Sequence, residues 1–297
     1  MNRDKKSISK KYSLLPVTCY LLYVLLSCKS VPPVQYEVPP QVLPLDEGAS
    51  VYITAHVKEA SPIISLIPLE ALESNEVKML MDRTDYLCAA LFPRDSGKTM
   101  QIAAYGNYPS ARVKMALGVN KNWKKMKSGW YSDMQQMSVY VTAKQAFASA
   151  WESAPDNPVS SSIIEFPEGF DNWNAPMSCW INDSGKTISY FLEKSGIPFK
   201  LPVENIFAAF YTEDDMFRVS IKLQFANASR ARAVIGIINM IRLFADQENG
   251  GDDAVLLPLK LLTAEAPVLN GNYVNINPPP LNENNMRLFF NFLFAVF

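Results

Sequence analysis

Two short segments carry residue types that bind phosphate in many proteins. Residues 95–99 and 183–187 both read Asp-Ser-Gly-Lys-Thr, and Gly-Lys-Thr is the last part of a phosphate-binding P-loop. A P-loop also needs a glycine five positions before its second glycine, because backbone amides must wrap the phosphates. Phe92 and Trp180 occupy those positions. We therefore expect turns at both segments, not nucleotide sites.

The other chemically active side chains also lack a catalytic or metal-binding pattern. His56 is the only histidine, and a zinc site usually takes three or four nitrogen or sulfur ligands from the protein. The acidic runs 213–215 and 252–253 are typical of solvated turns, whereas a catalytic carboxylate pair must be fixed across a cleft. The sequence predicts neither a metal site nor an enzyme, and it predicts no resident cofactor.

Cys28 is the residue with the clearest chemical role. Residues 1–11 are basic, an apolar run of 13 residues follows from Leu14 to Leu26, and the run ends in Leu-Leu-Ser-Cys. The run is too short to span a bilayer as a helix, and the order is that of a bacterial secretory signal followed by a lipobox. We expect residues 1–27 to be removed as a lipoprotein signal peptide. Cys28 would then be acylated and would anchor the mature chain to a membrane.

The charge of the exported body limits the classes of ligand it can bind, and its cysteines limit the disulfides it can form. Removal of residues 1–27 takes away five positive charges and one negative charge, so the net charge changes from −1 to −5. An exported acidic body excludes a nucleic-acid reader, which carries a basic footprint. Cys88 and Cys179 are the two thiols left in the body. An oxidising compartment permits them to pair, but two buried apolar thiols are the favoured interpretation.

The mature chain divides into a tether and a body. Residues 28–47 contain five prolines and predict a semi-rigid extended tether. Residues 48–297 form the body, in which residues 50–55 recur as 138–143 and residues 95–99 recur as 183–187, both 88 positions later. These offsets predict two related halves, about 48–137 and 138–297. A rival alignment pairs 89–92 with 208–211 and 107–112 with 227–232 and does not fit the same simple duplication.

The body has the pattern of a mixed α+β fold. Segments rich in Val, Ile, Tyr and Phe predict strands over 50–57, 86–92, 100–106, 137–143, 177–182, 206–211, 217–225 and 255–263. Two pairs of them are close enough to form hairpins, which predicts antiparallel sheets flanked by helices. Caps and periodicity predict helices over 75–82, 110–118, 143–154, 184–196 and 229–246, and the last segment, 284–297, is expected to be helical or extended.

Three of these segments have unusually apolar surfaces. Residues 143–154 repeat apolar side chains at helical spacing, residues 229–246 leave only one narrow polar stripe, and residues 284–297 are almost entirely apolar. Such helices lie deep in a core or in a membrane interface, and both interpretations remain open here. If they contact lipid, the contacting residues are Phe147, Ala150, Trp151, Val234, Ile235, Ile238, Ile241, Phe244, Phe289, Phe290 and Leu293.

A basic and aromatic segment supports the same two interpretations. Lys121, Lys124, Lys125 and Lys127 alternate with Trp123, Trp130 and Tyr131. This mixture favours anionic lipid head groups and the membrane interface, and a solvated loop is the alternative.

The lipobox at Cys28, the Pro-rich tether and the amphipathic segments 143–154, 229–246 and 284–297 together resemble a known family. They are similar to the treponemal (spirochaetal) outer-membrane lipoproteins that are concealed on the inner, periplasmic face of that membrane. The resemblance implies amphipathic helices that insert into the inner leaflet. It also implies an apolar cavity that binds or carries fatty acids or phospholipids, with an effect on membrane permeability or biogenesis. Membrane lipids would be the partners. An acyl-tethered scaffold that binds a periplasmic protein and has no lipid cavity is the alternative function.

Overall fold

The computed structural model describes residues 42–43, 45–68, 80–93, 97–127, 129–151, 164–165, 167, 170, 175–182, 202–247 and 264–294. The predicted signal peptide, Cys28 and most of the tether lie outside the described residues. The same is true of the predicted helix over 184–196 and the predicted strand over 255–263. Of the predicted helix over 75–82, residues 80–82 are described; 80–81 are helical and residue 82 lies in a turn.

One large antiparallel sheet dominates the described fold. The described strands are β1 Val42–Leu43, β2 Val51–His56, β3 Thr84–Leu91, β4 Lys98–Gly106, β5 Lys124–Met126, β6 Gly129–Ser132, β7 Met137–Val141, β8 Gln145–Trp151, β9 Ile164–Glu165, β10 Met177–Asn182, β11 Asn205–Glu213, β12 Met216–Gln224, β13 Val268–Asn270 and β14 Tyr273–Ile276. Twelve of them follow one another in the order β13-β14-β12-β11-β10-β2-β3-β4-β8-β7-β6-β5, and β1 and β9 form a separate pair. The predicted mixed α+β class is confirmed, with antiparallel pairing throughout the large sheet.

Both predicted hairpins are present. β3 pairs with β4, and β11 pairs with β12 over the full length of both strands. The β11–β12 turn consists of Asp214 and Asp215, which both have positive φ, as a two-residue type I′ turn requires. Both side chains are exposed, which confirms the expected solvated turn at residues 213–215.

Four helices are described, and their termini follow simple capping chemistry. They are α1 Val57–Ile64, α2 Ser110–Val119, α3 Ala228–Gln247 and α4 Glu283–Phe294. Asn227 and Asn282 precede α3 and α4, and each Oδ1 accepts a hydrogen bond from a backbone N–H in the first turn. The predictions of helices over 110–118 and 229–246 are confirmed for the residues described. The segment 284–297, for which a helix and an extended chain were both open, is helical as far as residue 294.

The predicted helix over 143–154 is wrong. Its residues 145–151 form β8, which pairs with both β4 and β7. Thr142 does not cap a helix; its Oγ1 accepts hydrogen bonds from the backbone N–H groups of Lys144 and Gln145 and so closes the β7–β8 turn. Alanine at every second position fits a strand face as well as a helix stripe, and the pairing with two neighbours decides the outcome.

Ten of the twelve described strands of the sheet form two runs with the same strand order, and β6 and β5 extend one of them. Starting from the central pair β2 and β10, one half runs β2-β3-β4-β8-β7 and the other runs β10-β11-β12-β14-β13. In each half a hairpin leads into a helix, α2 in one and α3 in the other. The rival alignment, which pairs 89–92 with 208–211 and 107–112 with 227–232, relates β3 to β11 and the start of α2 to the start of α3. The 88-residue offset instead relates β2 to β7, which occupy different positions in the two runs. The strand order alone does not test the division near residue 138, so that division and an origin by duplication both stay predictions.

The two faces of the sheet carry different cores. All four helices cover one face, where α1, α3 and α4 enclose a cluster that includes Phe210, Phe225, Phe289 and Phe290. α2 covers a second cluster on the same face near β6 and β7. The other face is covered near its centre by residues 45–49 and by Ile164 and Phe170, with Tyr52 stacked on Trp180 at 4.7 Å.

Candidate functional site

The helix-bearing face of the sheet contains an apolar surface that the described helices leave partly open. Its floor is a row of side chains from five adjacent strands, β8, β4, β3, β2 and β10, in direct cross-strand register. The row consists of Ala148, Ile102, Ala89, Ile53 and Cys179. All five are partly exposed, as are Leu87, Leu91, Met100 and Ala146 beside them. We call this surface the trough.

The positions of the helices explain why the trough is open. α1 packs on β2, β3 and β11, and α2 packs on β7. α3 lies on β13 and β14, and α4 lies on β12. None of the four described helices makes its main contacts with β4 or β8, so the trough lies between α1 and α2. Alanine supplies two of its five floor residues, Ala89 and Ala148, which keeps the floor low there.

The dimensions and chemistry of the trough suit an apolar chain. Neighbouring strands are ~4.8 Å apart, so five strands give a floor about 19 Å long. The floor carries no charged side chain, and its single polar atom is the thiol of Cys179, whose pKa burial raises to about 12. That thiol is protonated at neutral pH and offers neither a nucleophile nor a charge. A contiguous exposed apolar surface can mark a protein contact, a membrane contact or a ligand-binding groove, and ligand sites are lined mainly by apolar side chains.

The opposite face has a different, polar and aromatic character. The Tyr52 hydroxyl donates a hydrogen bond to the backbone oxygen of Asp46 and accepts one from the backbone N–H of Ala49, which ties the start of the body to the sheet. His56 ends β2 as predicted, and its ring lies 5.1 Å from that of Tyr86. No group of three or more His, Cys, Asp or Glu side chains in the described residues is placed to hold a metal ion.

The predicted lipid-contact residues of residues 143–154 lie in β8 instead of a helix. Phe147 is buried on the polar and aromatic face. Ala150 is buried on the helix-bearing face. It lies two residues after Ala148 along β8 and pairs with Met100. The side chain of Trp151 lies outside the described residues. Lipid contact by Phe147 and Ala150 remains a prediction, and both are covered in this structure.

The predicted contacts of α3 and α4 are mostly core residues in this structure. Val234 and Ile238 are buried against the sheet, and Ile235 packs partly against the same cluster. Phe289 and Phe290 are buried beside Phe210, with ring centroids 6.3 and 5.5 Å from its ring. The side chains of Ile241, Phe244 and Leu293 lie outside the described residues. None of the helices in the described part of the chain has the length and apolarity needed to span a bilayer.

The basic and aromatic segment separates into two kinds of surface. Trp123, Trp130 and Tyr131 are buried, so the expectation that they face a membrane interface is wrong for this structure. The four lysines are exposed, and Lys124 pairs with Asp133.

The trough was not predicted from the sequence, because its residues belong to five strands and no local pattern reveals how those strands pair.

The fold and the trough define a mixed α+β protein with a partly exposed apolar surface on its sheet. Comparison with known proteins finds relatives of this class. Residues 41–149 match the model of the family described as outer membrane-associated lipoprotein TP0453. The match confirms the resemblance to a treponemal outer-membrane lipoprotein and supports a membrane-associated lipoprotein. No curated protein matches the chain.

Solved structures of TP0453 have the same fold. Crystal form I is 16% identical in sequence, with a TM-score of 0.52, and the alignment covers 87% of this chain and 99% of that one. Crystal form IV is 15% identical, with a TM-score of 0.51, and the alignment covers 81% of this chain and 92% of the other. At this level of identity the likeness is one of fold.

Proposed function

We propose that this protein is a lipoprotein anchored by acylated Cys28 to the periplasmic face of an outer membrane, and that it holds fatty acyl chains in the trough. The observation that carries the proposal is the partly exposed apolar row across five strands. The row lacks charge, its one thiol is held protonated, and its length is comparable with that of an extended acyl chain. A fatty acid or a phospholipid is the expected ligand.

The packing of the helices supplies a route for membrane insertion. α3 and α4 bury their apolar sides through side chains such as Val234, Ile238 and Phe289. If the two helices swing away from the sheet, the same side chains enter the inner leaflet and the apolar face of the sheet opens. The cost of losing the core contacts is offset by burial in the bilayer, because burial in lipid removes the same apolar area from water.

A fluorescent fatty acid tests the trough directly. The chain from residue 28 onward, carrying Cys28→Ser, is titrated with cis-parinaric acid. We expect Ala148→Phe and Ala89→Phe, which fill the floor, to weaken binding at least tenfold. Ala143→Phe makes the same change at an exposed turn residue and should bind like the wild type. Equal binding by all three variants, or no binding by the folded wild type, would contradict the proposal and favour the protein-binding alternative.

A labelled helix tests insertion. Met240 on α3 is 51% exposed, so Met240→Cys can carry an environment-sensitive nitrobenzoxadiazole dye without disturbing the core. The native thiols of Cys88 and Cys179 have pKa values that burial raises, so they should react with the label only slowly at neutral pH. On addition of vesicles we expect a blue shift of the dye at position 240 and none at Arg218→Cys on β12. A dye at position 240 that stays in water while the protein floats with vesicles would contradict insertion by α3.

A further inference from the structure

α2 exposes an apolar ridge on the side that faces away from the sheet. Val113 and Leu117 point into the core and are 0% and 1% exposed. Met115 and Val119 are 68% and 74% exposed, and Ala111 is exposed one turn earlier. The spacing i, i+4 and i+8 places these three side chains along one line of the helix. Among the described residues, Met115 and Val119 are the most exposed of the large apolar side chains.

The ridge lies in the most basic part of an acidic body. Residues 107–132 contain six cationic side chains and no Asp or Glu, although the mature chain is expected to carry a net charge of −5. The six are Arg112, Lys114, Lys121, Lys124, Lys125 and Lys127. Lys114, Lys121, Lys125 and Lys127 are exposed, and none of the four forms an ion pair with another described residue.

The fold places these cations around the ridge. Arg112 and Lys114 belong to α2, and the loop after α2 carries Lys121. Lys125 on β5 pairs with Trp130 in the register and therefore projects to the helix-bearing side of the sheet. β7, on which α2 packs, is the direct neighbour of β8 and hence of the end of the trough.

We propose that this surface, the ridge of α2 with Lys114, Lys121, Lys125 and Lys127, docks the protein onto anionic lipid head groups while α3 and α4 are still packed on the sheet. The inference rests on the membrane role proposed above and names the lipid class that the first contact requires. Each lysine near an anionic leaflet contributes to binding, and a narrow apolar ridge reaches the boundary between head groups and acyl chains.

The composition of the surface favours a lipid over a protein. Protein interfaces are enriched in aromatic residues and arginine and depleted in lysine. Here the exposed cations on the surface are mostly lysines, and Trp123 and Trp130 are turned into the core. Docking through α2 also brings the β8 end of the trough close to the membrane, which is the geometry that lipid uptake needs.

Vesicle binding by charge-reversed variants tests the proposal. The chain from residue 28 onward, with Cys28→Ser, is mixed with phosphatidylcholine vesicles that do or do not contain phosphatidylglycerol. We expect binding to require phosphatidylglycerol and to fall as salt approaches ~1 M, where the screening length shrinks to about 3 Å. Lys121→Glu combined with Lys125→Glu should weaken binding at least tenfold, since each lysine interacts separately with the anionic surface.

A matched control and a second ligand keep the outcomes distinct. Arg218→Glu combined with Arg287→Glu changes the net charge equally at exposed positions outside this surface and should leave binding within twofold. Vesicle binding that ignores phosphatidylglycerol, or that survives the Lys121 and Lys125 changes, would overturn the inference. Equal, charge-sensitive binding of soluble polyglutamate would overturn it in favour of an acidic protein. The lysine variant should still bind cis-parinaric acid, so loss of docking is separable from failure of the trough.

Discussion

Cys88 and Cys179 lie on the two strands that flank β2, and their side chains project from opposite faces of the sheet. Cys88 pairs with Thr54 and Cys179 pairs with Ile53, and consecutive residues of a strand point to opposite sides. Strands two positions apart are separated by about 9.6 Å, which exceeds the Cα separation that a disulfide allows. Both thiols are free. The favoured interpretation of two buried apolar thiols is therefore confirmed in that the thiols do not pair and Cys88 is buried, whereas Cys179 is partly exposed.

The reactivity of Cys179, which is partly exposed, should report how strongly its apolar surroundings desolvate the thiol. Burial raises the pKa of this thiol to about 12, and only the thiolate reacts with iodoacetamide. We expect the native protein to be modified slowly at pH 8 and about ten times faster for each further pH unit up to pH ~11. In urea the rate should level off near pH ~9, as for an ordinary cysteine. Mass spectrometry of the modified peptide measures both profiles, and a native plateau near pH 9 would contradict the burial argument.

The same burial should make the fold sensitive to alkali. The pKa of the Cys88 thiol and that of the Cys179 thiol are higher in the folded protein than in the unfolded chain. Below the unfolded value of ~8.5 both thiols are protonated whether the chain is folded or not, so the free energy of unfolding keeps its full value. Above that pH the unfolded chain releases protons first. The free energy of unfolding then falls by up to ~1.4 kcal/mol per pH unit for each thiol.

Urea titrations between pH 8 and pH 10 measure this decline. The variant with both Cys88→Ala and Cys179→Ala should show a flatter profile over the same interval. Tyr52, Tyr86 and Tyr131, whose pKa burial also raises, add to the decline as the pH approaches ~10, so the difference between the two profiles reports the thiols. Identical slopes for the wild type and the variant would refute the assignment.

Alanine substitutions should distinguish the buried side of α3 from its exposed side. Ile238 is 6% exposed in the core, and Ile238→Ala should lower the free energy of unfolding by about 2–5 kcal/mol because it removes packed methyl groups. Met240→Ala, on the exposed side of the same helix, should change it by no more than about 0.5 kcal/mol. Denaturant unfolding checks both variants. If they are equally destabilised, α3 does not pack as described. Ile238→Glu, the obvious test of insertion from the sequence alone, would mainly unfold the protein by burying a charge.

The sequence predicted the hairpins and two of the helices because their signals are local. Asp214-Asp215 lies between two strand patterns, and the apolar residues of α3 follow the helical period over 18 positions. Residues 145–151 were misassigned because Ala, Phe and Ala satisfy both a helical and an alternating pattern. Only the pairing of β8 with β4 and β7 distinguishes them. The trough could not be predicted, since Ala89, Ile102 and Ala148 come together through strand order alone.

Two glycines should respond oppositely to alanine. A Cβ at Gly106 would lie 1.9 Å from the backbone oxygen of Arg83, so Gly106→Ala must displace the backbone where β3 and β4 meet. A Cβ at Gly118 in α2 meets nothing within 4 Å. We expect Gly106→Ala to destabilise the fold by about 1–3 kcal/mol through overpacking. Gly118→Ala should stabilise α2 by up to ~1 kcal/mol. Thermal unfolding of the two variants measures the difference, and a stabilising Gly106→Ala would contradict the close approach.

A chain of side-chain hydrogen bonds crosses four strands on the face opposite the helices. The Nε1–H of Trp180 donates to Asn205 Oδ1 at 2.9 Å, and Asn205 Nδ2 donates to Gln224 Oε1 at 2.8 Å. Gln224 Nε2 donates to the Tyr273 hydroxyl at 3.3 Å. Asn205→Ala removes the shared middle member and leaves the indole N–H of Trp180, a side chain that is only 8% exposed, without its acceptor.

This variant should lose about 1–3 kcal/mol of unfolding free energy, the usual cost of an unsatisfied buried polar group. Asn205→Asp keeps an acceptor for Trp180 but cannot donate to Gln224, and we expect it to retain part of the loss. Tyr273→Phe removes only the outermost acceptor, which is the longest of the three contacts, and should cost least. Urea unfolding followed by tryptophan fluorescence ranks the three variants. An equal cost for Asn205→Ala and Tyr273→Phe would show that the chain does not depend on its central amide.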